Sequence, residues 1–348
     1  MEMMKAVVAH GPNDLRVDTV PVPTPGTGEI LMKVAYAGIC GSDLGYAFRG
    51  ASGTAILKDP LILGHEIAGR VVSVGAGVDK SFINLQAAAF PATCIGDEVV
   101  PERIAHRTNL YPAVRYFGSA AMHPHTDGGM CEFKTMRVNQ IRILPEGLDL
   151  KRAALAEPLA VALHAINRVA DYLDDGVAGN DVLVNGAGPI GLLLIAGAKA
   201  LGARSVIAAD MAESALYRAK QIGADETVLV GHGSFPNEVE IVFESSGAPG
   251  ALGGVLTTVA RGGLIIQVGN LPASDVQATL GQLVTREVTW AGSFRFINEM
   301  DQALDLLANG LPVDPVISHE FAIDEAVEAF NVAADRSTGS SKVMIKLP

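Results

Sequence analysis

The chain reads as an α/β protein of two domains, one β-rich and one built on a doubly wound parallel sheet. Three observations predict this. At 348 residues it exceeds what one hydrophobic core ordinarily serves. Near Pro158 the texture changes, from short β-rich segments broken by Pro and Gly to apolar strands that alternate with helices. Finally, the tail from Phe294 ends in a further apolar strand, KVMIKL, of the kind that completes a sheet elsewhere.

In the first part, KAVVAH, EILMKVAYAG, EIAGRVVSVG and FKTMRV have the β-branched, partly alternating pattern of strands, and PVPTPGTG is a turn region. Helical periodicity is scarce, which predicts a compact antiparallel domain over residues 1–157. EPLAVALHAINRVADYL then predicts a helix, with Pro158 at its first position and Glu157 at its positive end. Strand DVLVNG, helix IGLLLIAGAKALG, strand SVIAAD and helix AESALYRAKQIG follow. After them come strands ETVLV and EIVFES, helix GALGGVLTTVA, and strands LIIQVG and VTWAGS. Apolar strands of this kind belong in a parallel sheet covered on both faces. We expect residues 158–293 to form this second domain and 294–348 to return to the first.

Composition narrows the function. The chain is 49% hydrophobic and 18% charged, as a globular protein is. A formal charge of -12 repels phosphate backbones and anionic lipid, so neither nucleic acid nor membrane is expected as a partner. Three cysteines make no disulfide framework, and MEMMKAVVAHGPNDL lacks the pattern of a secretion signal, so a cytoplasmic location is expected. Val182–Ala198 is apolar, but it holds Asn185 and four glycines and ends at Lys199. It therefore reads as a strand entering a buried helix.

NGAGPIG sets Gly186, Gly188 and Gly191 in the G-x-G-x-x-G pattern between a strand and a helix, with Pro189 and Ile190 opening that helix. Asp210 closes the next strand, 210 − 191 = 19 residues past the last glycine. The first glycine permits the turn, the second lets pyrophosphate approach backbone N–H groups, and the third brings helix against strand. Asp210 would bind an adenosine ribose and repel a 2′-phosphate, which favours NAD over NADP. In the competing reading the glycines only pack and Asp210 caps the next helix. Further cofactor contacts are expected at later strand ends, from Ser245, Val268, Gly269 and Ser293.

GICGSD places Cys40 between glycines on what reads as a bare turn, and His65–Glu66 follow 65 − 40 = 25 residues on. A thiolate, an imidazole and a carboxylate on separate turns suit a catalytic zinc, which takes three protein ligands and keeps an open position. Glu157 is a fourth candidate. The plainer readings are a buried cysteine acting as a small hydrophobe, a His-Glu pair capping a turn, and a glutamate answering a helix dipole. Cys94 and Cys131 read as inert thiols.

GICGSD, GHE, AEP and GAGPIG, in this order and at these distances, resemble the zinc-containing medium-chain alcohol and polyol dehydrogenases over essentially the whole chain. The resemblance implies a GroES-like catalytic domain interrupted by a Rossmann domain, with the active site in the cleft between them. It also implies zinc on Cys40, His65 and Glu66, and Glu157 binding directly or through water. RYFGSAAMHPHTDGGM and GSFRF look most like L-idonate 5-dehydrogenases, kin of sorbitol dehydrogenase. From that branch follow oxidation of a secondary alcohol of a small polyhydroxy substrate, Ser42 as proton acceptor, and Tyr46, Arg295 and Arg115 as substrate contacts. Family habit implies a homo-oligomer, dimer or tetramer, paired through VTWAGS.

Two departures stand out. Many relatives hold a second, structural zinc on four cysteines, where this chain has Asp97, Val100, Arg103 and Tyr111; we expect no such zinc. SDLGY puts Gly45 where relatives usually carry the histidine that ends a proton relay.

Overall fold

The computed structural model describes residues 2–96, 99–272 and 274–348, and the chain divides into two compact units. The first comprises Met1–Glu157, Met300–Asn309 and Ile317–Pro348; the second comprises Pro158–Glu299 and Gly310–Val316.

In the first unit a seven-stranded sheet carries the site. Its path runs Ile141–Ile143, Gln86–Ala89, Glu66–Val74, Glu29–Gly38, Lys342–Lys346, Ile317–Ala322, and Phe133–Arg137 also pairs with Glu29–Gly38. Every pairing is antiparallel except Ile317–Ala322 with Lys342–Lys346, so the tail introduces the one parallel step of that sheet. A smaller sheet joins Asp14–Pro21, Met3–Gly11 and Leu61–Ile62. The inward residues Val7, Ile30, Met32, Ile67, Phe330 and Ile345 form one buried core. At about 1.5–3 kcal/mol for each large side chain removed from water, this core fixes the sheet register.

The second unit holds six parallel strands in spatial order Glu226–Leu229, Ser205–Asp210, Asp181–Asn185, Val239–Glu244, Val259–Gln267, Thr289–Gly292. The chain order reverses between Asp181–Asn185 and Val239–Glu244, the switch point outside which such sheets bind ligands. Val182, Leu183 and Val184 are wholly buried, as a strand covered on both faces requires. No helix among the described residues is long and apolar enough to cross a membrane.

Local structure departs from expectation in two places. Cys40 is not on a bare turn but at the N-cap of a helix, Gly41–Arg49, that ends on Gly50 in the left-handed region. Its nine residues with three small or polar openers gave too little apolar periodicity to read. The helix around Glu157 spans Ala156–Asn167, which puts Pro158 at its third residue, because the short helix Leu150–Ala153 leads directly into it.

Candidate active site

The strand Glu29–Gly38 and the strand Glu66–Val74 lie side by side, with Gly38 opposite Glu66. This pairing brings the residue after Ile39 next to the residue before Glu66. The ligand atoms of Cys40, His65 and Glu66 consequently all lie within 4.8 Å of one another. His65 and Glu66 are buried and Cys40 is half-buried. Gly38 has a specific reason to be glycine: a Cβ there would lie 2.1 Å from Glu66 Oε2. Gly41, on the other side of Cys40, meets nothing within 4 Å.

Two buried atoms of this cluster, Glu66 Oε2 and His65 Nδ1, have no hydrogen-bond partner. A buried carboxylate oxygen left so is costly unless a cation completes it. Burial disfavours the charged imidazole of His65, yet Asp43, the Cys40 sulfur and Glu157 outweigh it and hold His65 well above an ordinary histidine. An anionic pocket that draws charge onto its imidazole is one a dication would neutralise. Sulfur, nitrogen and oxygen donors at this separation fit zinc.

Around the three stand residues that position them. Asp43, wholly buried, accepts the Cys40 N–H at 2.9 Å and the Gly64 N–H at 3.2 Å, and its Oδ1 lies 3.9 Å from His65 Nδ1. Burial raises its carboxyl, while the imidazole opposite and those N–H groups pull it down. Glu157, 5% exposed, accepts the Tyr116 hydroxyl at 2.5 Å; burial is the main reason its carboxyl is raised. The Tyr116 ring meets the His65 ring edge-on at 5.5 Å. Lys342 donates to Glu66 Oε1 at 2.7 Å. Sequence reading missed Asp43, Tyr116 and Lys342. Only Asp43 carried a local signal, standing three residues past the N-cap where a capping box puts its acid.

Of the other residues expected here, Ser42 is half-buried in the first turn of the Gly41–Arg49 helix. Tyr46 is 2% exposed in the unit's core, and its hydroxyl accepts the Ala120 N–H at 3.0 Å. Arg115 donates through Nη1 to Pro124 O and Thr126 Oγ1, which pins that loop. Gly45 is tightly enclosed, since a Cβ would lie 2.7 Å from Ala51 O. Cys94 is exposed, and burial pushes the Cys131 thiol up to about 12, which keeps it unreactive. At the positions where relatives carry the four zinc-binding cysteines, Tyr111 donates its hydroxyl to Ala105 O, Arg103 is exposed, and Asp97 lies outside the described residues.

In the second unit the glycine loop leaves the end of Asp181–Asn185 at the switch point. Gly186 has φ 98°, and Gly188 is the N-cap of the helix Pro189–Ala200, which carries Pro189 first and Ile190 second. A Cβ on Gly191 would lie 1.8 Å from Gly186 O, whereas one on Gly188 meets nothing, so Gly191 serves the packing and Gly188 leaves space. Asp210 Oδ2 accepts the Ala187 N–H at 2.7 Å and Oδ1 the Ala212 N–H at 2.8 Å. It therefore braces the loop, and the following helix is capped at Ala212 instead. Ser245 donates to Gly186 O at 2.7 Å. The N–H groups of Val268 and Gly269 both reach Glu244 O, and Ser293 N reaches Gln267 O. Ser293 Oγ is buried without a hydrogen-bond partner. Arg295, at φ 51°, lays its guanidinium over the Phe294 ring.

A zinc-type donor set in one unit and a dinucleotide-type loop in the other define a dehydrogenase. Comparison with known proteins agrees. The family model "Alcohol dehydrogenase GroES-like domain" matches residues 26–146 and "Zinc-binding dehydrogenase" matches 189–309. Sorbitol dehydrogenase of Bos taurus is 35% identical over 98% of this chain and 95% of its own. Among solved structures, L-idonate 5-dehydrogenase of Escherichia coli superposes with TM-score 0.91 at 30% identity, covering 99% of this chain and 98% of that one. A Sinorhizobium meliloti protein named as a zinc-binding dehydrogenase and determined bound to NADP has TM-score 0.87 at 29% identity, covering 99% of this chain and 100% of that one. The chain belongs to the zinc-dependent medium-chain dehydrogenases, among the polyol dehydrogenases.

Proposed function

We propose that this protein oxidises a secondary alcohol of a sugar acid or polyol with NAD, L-idonate to 5-keto-D-gluconate being the first substrate to test. The observation that carries the reading is the Cys40–His65–Glu66 cluster with its orphaned Glu66 Oε2. Zinc held by these residues, with Glu157 beside them, would supply Lewis acidity that lowers the pKa of the substrate hydroxyl. Ser42, two residues past the Cys40 N-cap, takes the hydroxyl proton. NAD, which the loop Gly186–Gly191 and the residues Ser245, Val268, Gly269 and Ser293 would hold, would supply the hydride acceptor for the carbinol carbon. Asp210 supports NAD over NADP through its carboxylate at the loop, although one structural relative binds NADP. Arg295 is the residue we assign to a substrate carboxylate or hydroxyls, because a guanidinium binds either in a bidentate manner. Similarity to sorbitol dehydrogenase supports a second reading, a neutral polyol substrate. The edge position of Thr289–Gly292 supports pairing of two copies there.

Initial rates of NADH formation from L-idonate and from sorbitol, each with and without a chelator, test these points. A chelator-sensitive rate that is higher on L-idonate supports the reading, and one higher on sorbitol supports the second. No rate on either substrate, or on a wider panel of secondary alcohols, with zinc bound would leave a protein that binds NAD without turnover.

A further inference from the structure

Lys342 is the one fully buried lysine or arginine among the described residues, at 2% exposure. A buried ammonium needs partners, and Lys342 has two: Glu66 Oε1 at 2.7 Å and Ile39 O at 3.1 Å. Its backbone is held just as firmly. Ile39 N–H donates to Val343 O at 3.0 Å, and Met344 pairs with Gly38. The tail strand thus engages both backbone polar groups of the residue before Cys40 and one oxygen of Glu66.

We infer that Lys342 is a positioning residue of the metal centre: it engages Glu66 Oε1, so that Oε2 alone is presented beside Cys40 and His65. The inference rests on the zinc reading above and extends it to a residue from the far end of the chain. The direction of the effect separates positioning from simple charge. Removing a cation beside a dication site favours metal binding by charge alone, whereas freeing a ligand that was held in place weakens it. Loss of residues that orient metal ligands typically costs about 10–100-fold in affinity.

The test is zinc affinity of the full chain, read by competition with a chromogenic chelator, for wild type, Lys342→Met, Glu66→Gln and Lys342→Met/Glu66→Gln. We expect Lys342→Met to bind zinc about 10–100-fold more weakly than wild type. Because Lys342 acts through Glu66, the double variant should match Glu66→Gln. The double variant also removes both buried charges, so it keeps the question answerable if Lys342→Met leaves Glu66 unpaired and fails to fold. Equal or tighter binding by Lys342→Met, or a double variant tenfold weaker than Glu66→Gln, overturns the inference. A wild type that takes up no zinc overturns the functional reading, and the inference with it.

Discussion

Gly38→Ala is the sharpest probe of the site, because it adds a single methyl group to a backbone whose φ any residue can adopt. That methyl would lie 2.1 Å from Glu66 Oε2 and 3.2 Å from its Cβ and Cδ. Ordinary carbon–oxygen contact needs roughly 3.5 Å, so the carboxylate must swing by more than an ångström. Lys342 holds its other oxygen at 2.7 Å and resists the swing. Overpacking of this kind costs about 1–3 kcal/mol, and at about 2–4 °C per kcal/mol for a unit of this size it should show clearly in thermal unfolding. Zinc retained after dialysis should fall well below one equivalent at the same time. Gly41→Ala, two residues past Ile39, is the control: its Cβ meets nothing, and Gly→Ala at a compatible helix position stabilises by about 0.4–1 kcal/mol. If Gly38→Ala keeps a full equivalent of zinc and melts with Gly41→Ala, the account of Glu66 as a ligand set against Gly38 is wrong.

Further outcomes follow from other contacts. Gly45→His should lower the melting temperature and bring no rate gain at neutral pH, because its Cβ would lie 2.7 Å from Ala51 O; a faster, stable variant would contradict this. Gly191→Ala should lose NADH binding in a fluorescence titration through its clash with Gly186 O. Gly188→Ala should fold normally and lose affinity only if pyrophosphate approaches there. The part-buried pair His164 Nδ1–Glu299 Oε1, 2.7 Å apart, gives a pH effect. Burial opposes charge on Glu299, but His164 and the Ile297 N–H hold its carboxyl below the usual glutamate range. Its contribution is present above that ordinary value and is lost as pH falls through the folded one, so Glu299→Gln should flatten the acid limb of thermal stability below the usual glutamate range.

Much of this was legible in the sequence because it is local. The Gly186–Gly191 loop announces itself by spacing, and the strand Glu29–Gly38 by its apolar run. Cys40, His65 and Glu66 were nameable from short phrases, although their meeting depends on the pairing of Gly38 with Glu66. What escaped depends on distance or on packing. Lys342 reaches Glu66 across 276 residues and has no neighbouring motif, and Tyr116 reaches Glu157 across 41. Nothing in SDLGY says which way the helix of Tyr46 turns; in the fold its ring is buried in the core.

The strand Lys342–Lys346 lies between Glu29–Gly38 and Ile317–Ala322, so the first unit is closed by residues made after the whole second unit. Lys342 contacts Ile39 across 303 positions, with the whole second unit emerging in between. At about 5–20 residues per second, the ribosome leaves that gap open for roughly 15–60 s. During synthesis the nucleotide-binding unit can finish folding while its host still waits, with Cys40 and Glu66 lacking the strand that flanks them. Assembly of the metal-binding unit is therefore a late event, timed by the arrival of the strand Lys342–Lys346.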